Sequence, residues 1–294
     1  HANYATTHGL ASLIAKEMIK RERKDGTSPR VIITCHGSDV HKNGSGNLLT
    51  PVTEYVLSLA DQVTYVSTAL KREAEEKFPS LKNKGEVIYN FIDIEKFKKE
   101  EEGRDENRYK LGIGIDDIVF YHASNFRPVK DIGLIIDAAE ILYEERKLGQ
   151  IKFLMVGEGP EMANIQERIN NKRLKPYFKF TGRSTDVVPF INASDVGLLP
   201  SREEAFGLAL LETMACEKPV IGSGTGGIPE VIEDGKNGFI FPSGDAEELA
   251  EKIVSLSNNK ELRKQMGEES LSLVRSKFTS ERIVPQYLKL YQKK

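Results

Sequence analysis

The sequence predicts an α/β protein made of two doubly wound, Rossmann-like domains. Three observations predict it. Short β-rich runs alternate with amphipathic helical stretches along almost the whole chain, the pattern of βαβ units whose helices cover a parallel sheet. Several runs are nearly all apolar and end at glycine, as in Ile-Lys-Phe-Leu-Met-Val before Gly157, which suits central strands buried on both faces. A charged stretch, Glu95–Lys110, has no apolar periodicity until Tyr109 and reads as a linker or loose helix between the two patterns.

Taken in order, the first pattern holds a helix over Gly9–Lys24 and a buried strand over Val31–Cys35. A strand at Gln62–Val66, a helix at Ser67–Phe78 and a strand at Glu86–Tyr89 follow. The second holds strands at Ile118–His122, Lys152–Val156, Lys179–Phe180, Val196–Leu199, Pro219–Ile221 and Gly238–Phe241. Its helices are expected at Lys130–Arg146, Glu161–Asn171, Asp186–Ala193, Leu208–Cys216, Ile228–Glu233 and Asp245–Ser257. The domains are therefore placed at residues 1–110 and 111–276. A last amphipathic helix around Glu281–Tyr291, within residues 277–294, follows a Phe-Thr-Ser break and is expected to pack back on the first domain. The second domain reads as complete. The first shows only about three strands, fewer than a Rossmann half usually has, and the chain opens at His1 inside what reads as a functional motif. The first domain is accordingly expected to be incomplete, with a further segment ahead of His1.

Composition narrows the function. The 294 residues suffice for two ordinary domains. A net charge of −2 excludes nucleic-acid binding through global charge. No apolar run reaches the length of about 18 residues needed to span a membrane, and no signal peptide opens the chain. Cys35 and Cys216 lie far apart, outside any paired-cysteine motif, so neither a zinc site nor a disulfide framework is expected. Cytoplasm is the default compartment. Peripheral membrane contact and homo-oligomerisation stay open.

The most informative stretch is Glu204-Ala205-Phe206-Gly207-Leu208-Ala209-Leu210-Leu211-Glu212. It reads as a loop carboxylate, a Phe-Gly turn and a helix bearing a second carboxylate. Eight helical positions would span about 12 Å, roughly the reach from the sugar to the ribose of one nucleotide-sugar. A helix N-terminus lies between, and its free N–H groups and dipole favour a phosphate. The plain alternative, a solvated glutamate before an ordinary amphipathic helix, has about equal weight for the stretch alone.

Ligands of open α/β sheets bind at the carboxyl ends of the strands, so residues there gain weight. His36, in His36-Gly37-Ser38-Asp39, follows the first long strand; the alternative is a histidine satisfied within a turn, and the strand-end position favours function. Arg127 and Lys130, in Asn125-Phe126-Arg127-Pro128-Val129-Lys130, offer a fork and a point charge to a diphosphate, where most Arg/Lys pairs are simply solvated. Gly157 and Gly159, in Gly157-Glu158-Gly159-Pro160, are either a wall against a nucleobase or a tight turn. Gly182-Arg183 is a weaker instance. The loop Gly222–Gly227, opening a helix, could cradle a phosphate or sugar. The chain has no Asp-x-Asp pair, the kind of acid pair that commonly holds a divalent metal on a nucleotide diphosphate.

Together, His36–Asp39, Asn125–Lys130, Gly157–Pro160, Glu204–Glu212 and Gly226-Gly227-Ile228-Pro229-Glu230 resemble the retaining glycosyltransferases of family four, over essentially the whole chain. The resemblance implies the GT-B fold, two Rossmann-like domains facing a cleft, and transfer of a sugar from a UDP-sugar donor to a hydroxyl acceptor without a metal or other cofactor. Val87–Asp93 and His122–Lys130 look most like members that move GlcNAc onto a small hydroxy acid, L-malate. In these members the position of Asn125 is Asn, where many relatives carry Arg. It implies that Glu212 binds the ribose hydroxyls of UDP and Glu204 the donor sugar. Phe206, Gly207 and Leu208 would present backbone to sugar and phosphates, and Asn125, Gly157, Gly159 and Arg183 would complete the donor site. Arg127 and Lys130 would neutralise the departing diphosphate, His36 would stand by the reacting centre, and Tyr4 and His8 would lie on the acceptor side. A lipid-linked or polysaccharide acceptor, and nucleotide-sugar binding without turnover, are the competing readings.

Overall fold

The computed structural model describes residues 1–25, 27–41 and 46–292. They divide into two compact units. One comprises His1–Asn90, Glu204–Phe206 and Pro285–Lys294; the other comprises Phe91–Glu203 and Gly207–Val284.

The first unit holds a parallel sheet in the order β1 (Ala2–Asn3), β2 (Ile32–Cys35), β3 (Gln62–Tyr65), β4 (Glu86–Val87). β2 and most of β3 are buried, as β-branched runs predict. β1 has no counterpart in the sequence reading, because two residues are too few to show a period. A π-helical turn at Ala5–Gly9 leads into α1 (Leu10–Glu22). Then come α2 (Gly46–Leu59) and α3 (Thr68–Lys77). The Ser67 hydroxyl caps α3 by accepting the Leu70 N–H at 3.0 Å. α2 contains Pro51, a residue that ordinarily argues against a helix interior.

The second unit holds six parallel strands: β5 (Ile118–Ala123), β6 (Ile151–Val156), β7 (Phe178–Gly182), β8 (Val196–Leu199), β9 (Val220–Ser223) and β10 (Gly238–Phe241). Their order is β10-β9-β8-β5-β6-β7. The chain thus runs outward from β5 to β7, returns to β8 on the other side of β5, and runs outward again. The crevice between β5 and β8, where the order reverses, is where such sheets bind ligands. α4 (Arg104–Leu111) precedes the sheet. Around it lie α5 (Ile132–Glu144), α6 (Met162–Asn171), α7 (Val188–Ala193), α8 (Leu208–Ala215), α9 (Ile228–Val231), α10 (Ala246–Asn258) and α11 (Lys260–Lys277). α12 (Ser280–Gln292) is last, and its part from Pro285 groups with the first unit.

One continuous core explains the second unit. Phe120, Phe153, Met155, Val196, Leu198 and Ile221 from the sheet are buried with Ile132, Ile135 and Ile136 of α5 and Leu249 and Ile253 of α10. Each such side chain contributes about 1.5–3 kcal/mol by leaving water. α8 sits against the opposite face at close range. A Cβ at Gly197 of β8 would fall 2.7 Å from the Thr213 methyl of α8.

The charged run at Glu95–Lys110 behaves differently from a linker. It lies in the second unit and carries α4, whose Arg108 is only 1% exposed. Its guanidinium donates to the carbonyls of Ala193 (2.9 Å), Ile115 (2.8 Å) and Asp117 (2.9 Å), and pairs with Asp195 at 2.8 Å. Asp195 also takes Arg104 at 2.6 Å and the Val119 N–H of β5 at 2.8 Å. The sequence shows only charge here. Several carbonyls and one carboxylate, brought in from other elements, satisfy the buried fork.

Candidate functional site

A cavity of ≈ 490 Å³ opens at the carboxyl ends of the strands beside the β5/β8 crevice. Its lining comes from Ser124 and Asn125 after β5, Gly157 and Glu158 after β6, Arg183 and Ser184 after β7, and Ala209 and Glu212 of α8. The structure therefore brings four of the expected donor-site residues together: Asn125, Gly157, Arg183 and Glu212. All four belong to one unit, so their meeting is a property of its fold.

Glu212 is half-buried. Burial raises its carboxyl to about 7, against a smaller opposing pull from Lys96. Tyr121 of β5 senses that charge, since Glu212 and Cys216 both add to the effect of burial on its phenol. Gly207, the residue just before α8, sits at φ +100°, a backbone region that favours glycine. The Phe-Gly turn of the sequence motif is thus what starts the helix that carries Glu212.

Gly157 and Gly159 are fixed by close approach. A Cβ at Gly157 would lie 1.9 Å from the Ser124 carbonyl oxygen, and one at Gly159 would lie 2.2 Å from that of Asn125. Gly157 also has φ +129°. The tight turn and the cavity wall are the same structure: the β6 turn presses on the segment that carries Asn125.

That segment runs into a 3₁₀ turn, Pro128–Lys130. Asp131, at φ 47° and 8% exposed, accepts a two-pronged pair from Arg202 at 2.7 and 3.1 Å, and the Arg202 N–H donates to Val129 O at 2.8 Å. The β5 and β8 loops are thereby tied. Arg127 is exposed and lines a separate, smaller cavity with Asp131, Arg168 and Arg202. The charge of Lys130 is felt at His122. Arg127 and Lys130 thus share a turn, yet neither lines the cavity that holds Asn125 and Glu212. In the glycine-rich loop, the Ser223 and Thr225 hydroxyls both donate to Ser201 O, at 2.5 and 2.7 Å. This loop also braces the β8 loop.

Glu204 and Phe206 group with the first unit. The Phe206 ring is buried, with its centroid 5.8 Å from that of Tyr89. Leu208, at the start of α8, is exposed. In the first unit, His36 follows β2, and its Nε2 donates to Asn3 Oδ1 at 2.8 Å. Burial lowers its pKa, with Asp39 opposing. Asp39 accepts the N–H groups of Ala5 (2.8 Å) and His36 (3.2 Å), so it joins the π-helical turn to the His36 turn. Tyr4, at φ 71°, lies 5.1 Å from His36 and 6.3 Å from His8 between ring centroids. His8 donates to Asn3 O at 2.6 Å. The expected acceptor-side pair and His36 therefore form one cluster.

Sequence reasoning missed His122, Ser124, Ser184 and the Asp131–Arg202 pair. His122 carries the signal that singled out His36, a histidine at a strand end. The Asp131–Arg202 pair spans 71 residues and leaves no local pattern. Among the described residues, no group of three or more His, Cys, Asp or Glu could hold a metal ion, and no helix is long and apolar enough to cross a membrane.

The family model of group 1 glycosyl transferases matches residues 103–272. The chain belongs to that family. A second model, glycosyltransferase family 4, matches residues 1–96. The chain is 35% identical to N-acetyl-alpha-D-glucosaminyl L-malate synthase of Bacillus anthracis, over 99% of the chain and 73% of that protein. It is 29% identical to an uncharacterized glycosyltransferase of Methanocaldococcus jannaschii, over 99% of the chain and 74% of that protein. The crystal structure of Anabaena HepE in complex with UDP and glucose superposes with a TM-score of 0.86 at 22% identity, covering 98% of this chain and 76% of the other. The fold is GT-B, and the protein is a glycosyltransferase.

Proposed function

We propose that this glycosyltransferase moves GlcNAc from UDP-GlcNAc to the hydroxyl of a small hydroxy acid of the L-malate type, with retention of anomeric configuration and without a metal. The observation that carries the reading is the cavity at the β5/β8 crevice, where Asn125, Gly157, Arg183 and Glu212 converge. The named relative from B. anthracis supports the sugar and the acceptor. The UDP complex of the Anabaena neighbour supports the nucleotide.

In this reading Glu212 accepts the ribose hydroxyls, and the base lies toward Arg183 and Ser184. The acceptor oxygen attacks C1 of the sugar on the face that the diphosphate leaves. The C1–O bond to the β-phosphate breaks, and the acceptor proton passes to the departing phosphate oxygen. UDP carries off the electron pair. Lys130, with Arg127 when the loop turns toward the ligand, steadies the growing negative charge, which is the main catalytic contribution. Glu204 holds sugar hydroxyls. His36, in the cluster with Tyr4 and His8, serves the reacting centre and the acceptor.

The test is incubation with UDP-GlcNAc and a panel of L-malate, other hydroxy acids, a polyol-phosphate polymer and a lipid-linked acceptor, with chelator present. The expected product is α-GlcNAc-malate, identified by the small anomeric coupling in its proton NMR spectrum. A β-linked product, or transfer only to polymer or lipid, would overturn the retention or the acceptor. UDP-GlcNAc binding without any product would leave a binding protein.

A further inference from the structure

His122 is a completely buried histidine at the carboxyl end of β5, outside the roles assigned so far. Its Nδ1 lies 3.0 Å from the carbonyl of Leu198 at the end of β8. A carbonyl only accepts, so Nδ1 carries the proton and Nε2 is left as an acceptor. Nε2 lies 2.8 Å from the Ser124 hydroxyl, which therefore donates to it. The Ser124 oxygen in turn accepts the Phe126 N–H at 3.3 Å. Each donor in the chain has one acceptor, and the direction of every proton is fixed by the carbonyl at one end and the amide at the other.

The relay holds a backbone that would not hold itself. Phe126 has φ 31°, a strained position for an aromatic residue. Its ring is buried, 6.1 Å from the His122 ring and 6.4 Å from Phe180 between centroids. The Ser124 N–H donates to Val156 O at 3.1 Å, and Phe126 O accepts the Glu161 N–H at 3.1 Å. This strained turn aims Asn125 into the cavity and leads to Arg127 and Lys130. Through Leu198, the same histidine ties the turn to the strand that precedes the Glu204 loop. Burial and the charge of Lys130 keep the imidazole neutral, with its pKa lowered to about 4.

We infer that His122 is a positioning residue for the donor site: as a fixed neutral tautomer it orients Ser124, and through it the strained 124–126 turn that presents Asn125 and Lys130. It touches no ligand. The inference rests on the donor-site reading for its effect on catalysis, but the ordering of the turn stands apart from it.

The experiment is a double-mutant cycle of His122→Phe and Ser124→Ala, with His122→Gln as the conservative variant, since a Gln amide can both donate to Leu198 O and accept from Ser124. Backbone hydrogen exchange of residues 124–131 without nucleotide, UDP affinity, and the split of kcat from KM are read for each. Exchange in this segment should quicken in His122→Phe and in Ser124→Ala. UDP affinity should fall roughly tenfold in each, and the double variant should be no worse than either single one, the sign of two residues acting through one link. His122→Gln should stay within about threefold of the parent in both readouts. Additive losses, or unchanged exchange in Ser124→Ala, would overturn the relay. Should His122→Phe not fold, Ser124→Ala and His122→Gln decide the question alone. Failure of the parent to bind UDP would sink the donor reading, while the exchange data would still decide the relay.

Discussion

A carboxylate accepts hydroxyl hydrogens best when it is ionised, and burial pushes Glu212 up to about 7. Uridine, which presents the ribose without a titrating phosphate, should therefore bind more tightly as the pH rises from 6 to 8, by roughly tenfold if only the ionised form binds. Stability should move the other way. A folded-state pKa raised above the ordinary carboxylate value gives a contribution that is complete below pH 4.5 and is lost as the pH rises through 7. Glu212→Gln should flatten both profiles and weaken UDP. Calorimetry and thermal midpoints across this range read them, and an unchanged uridine profile in the variant would remove Glu212 from the ribose site. Gly157 gives a second test at this scale. Gly157→Ala puts a Cβ 1.9 Å from Ser124 O at φ +129°, so urea denaturation should show a loss of about 2–4 kcal/mol. A loss below 1 kcal/mol would mean that the turn yields easily.

Among the elements, α4 is the informative one. Arg108→Met would leave half-buried Asp195 with Arg104 as its remaining cation and strand several carbonyls, at a cost of about 3–5 kcal/mol. Arg108→Met and Asp195→Asn together should cost less than the sum of the two single losses. Strictly additive losses would contradict the pairing. This helix also shows where sequence reading stops. Strands such as β6 and helices such as α5 were legible because their burial is written as apolar runs and periods. α4 was not, since its anchoring partners, Ala193, Asp195 and Asp117, are assembled by the fold. α11 hides for a related reason: its buried stripe includes Gly267 and Ser270, small residues that give no hydrophobic period. β1 and α2 were obscured by brevity and by Pro51.

For the whole molecule, the meeting of four expected residues in one cavity was legible because strand-end position is a strong rule for doubly wound sheets. Asn125, Gly157, Arg183 and Glu212 are more than 80 residues apart at the extremes, yet strand order alone predicts that they meet. The braces behind them, His122 to Leu198 and Asp131 to Arg202, were not legible, because hydrogen bonds across a sheet leave no spacing. In the first unit, the structure gathers Tyr4, His8 and His36 into one cluster. His36→Ala should lower kcat by tenfold or more, roughly, while UDP affinity holds within about twofold. A fully active variant would take His36 out of the mechanism.

The proposed UDP-sugar site at the β5/β8 crevice is open to direct measurement. A calorimetric titration of the protein with UDP, GDP and ADP, and then UDP-GlcNAc, all with chelator present, should show micromolar binding that is selective for UDP over GDP and ADP, is kept without metal, and is weakened in Glu212→Gln. Binding of no nucleotide, equal binding of all three, or full UDP affinity in Glu212→Gln would contradict it.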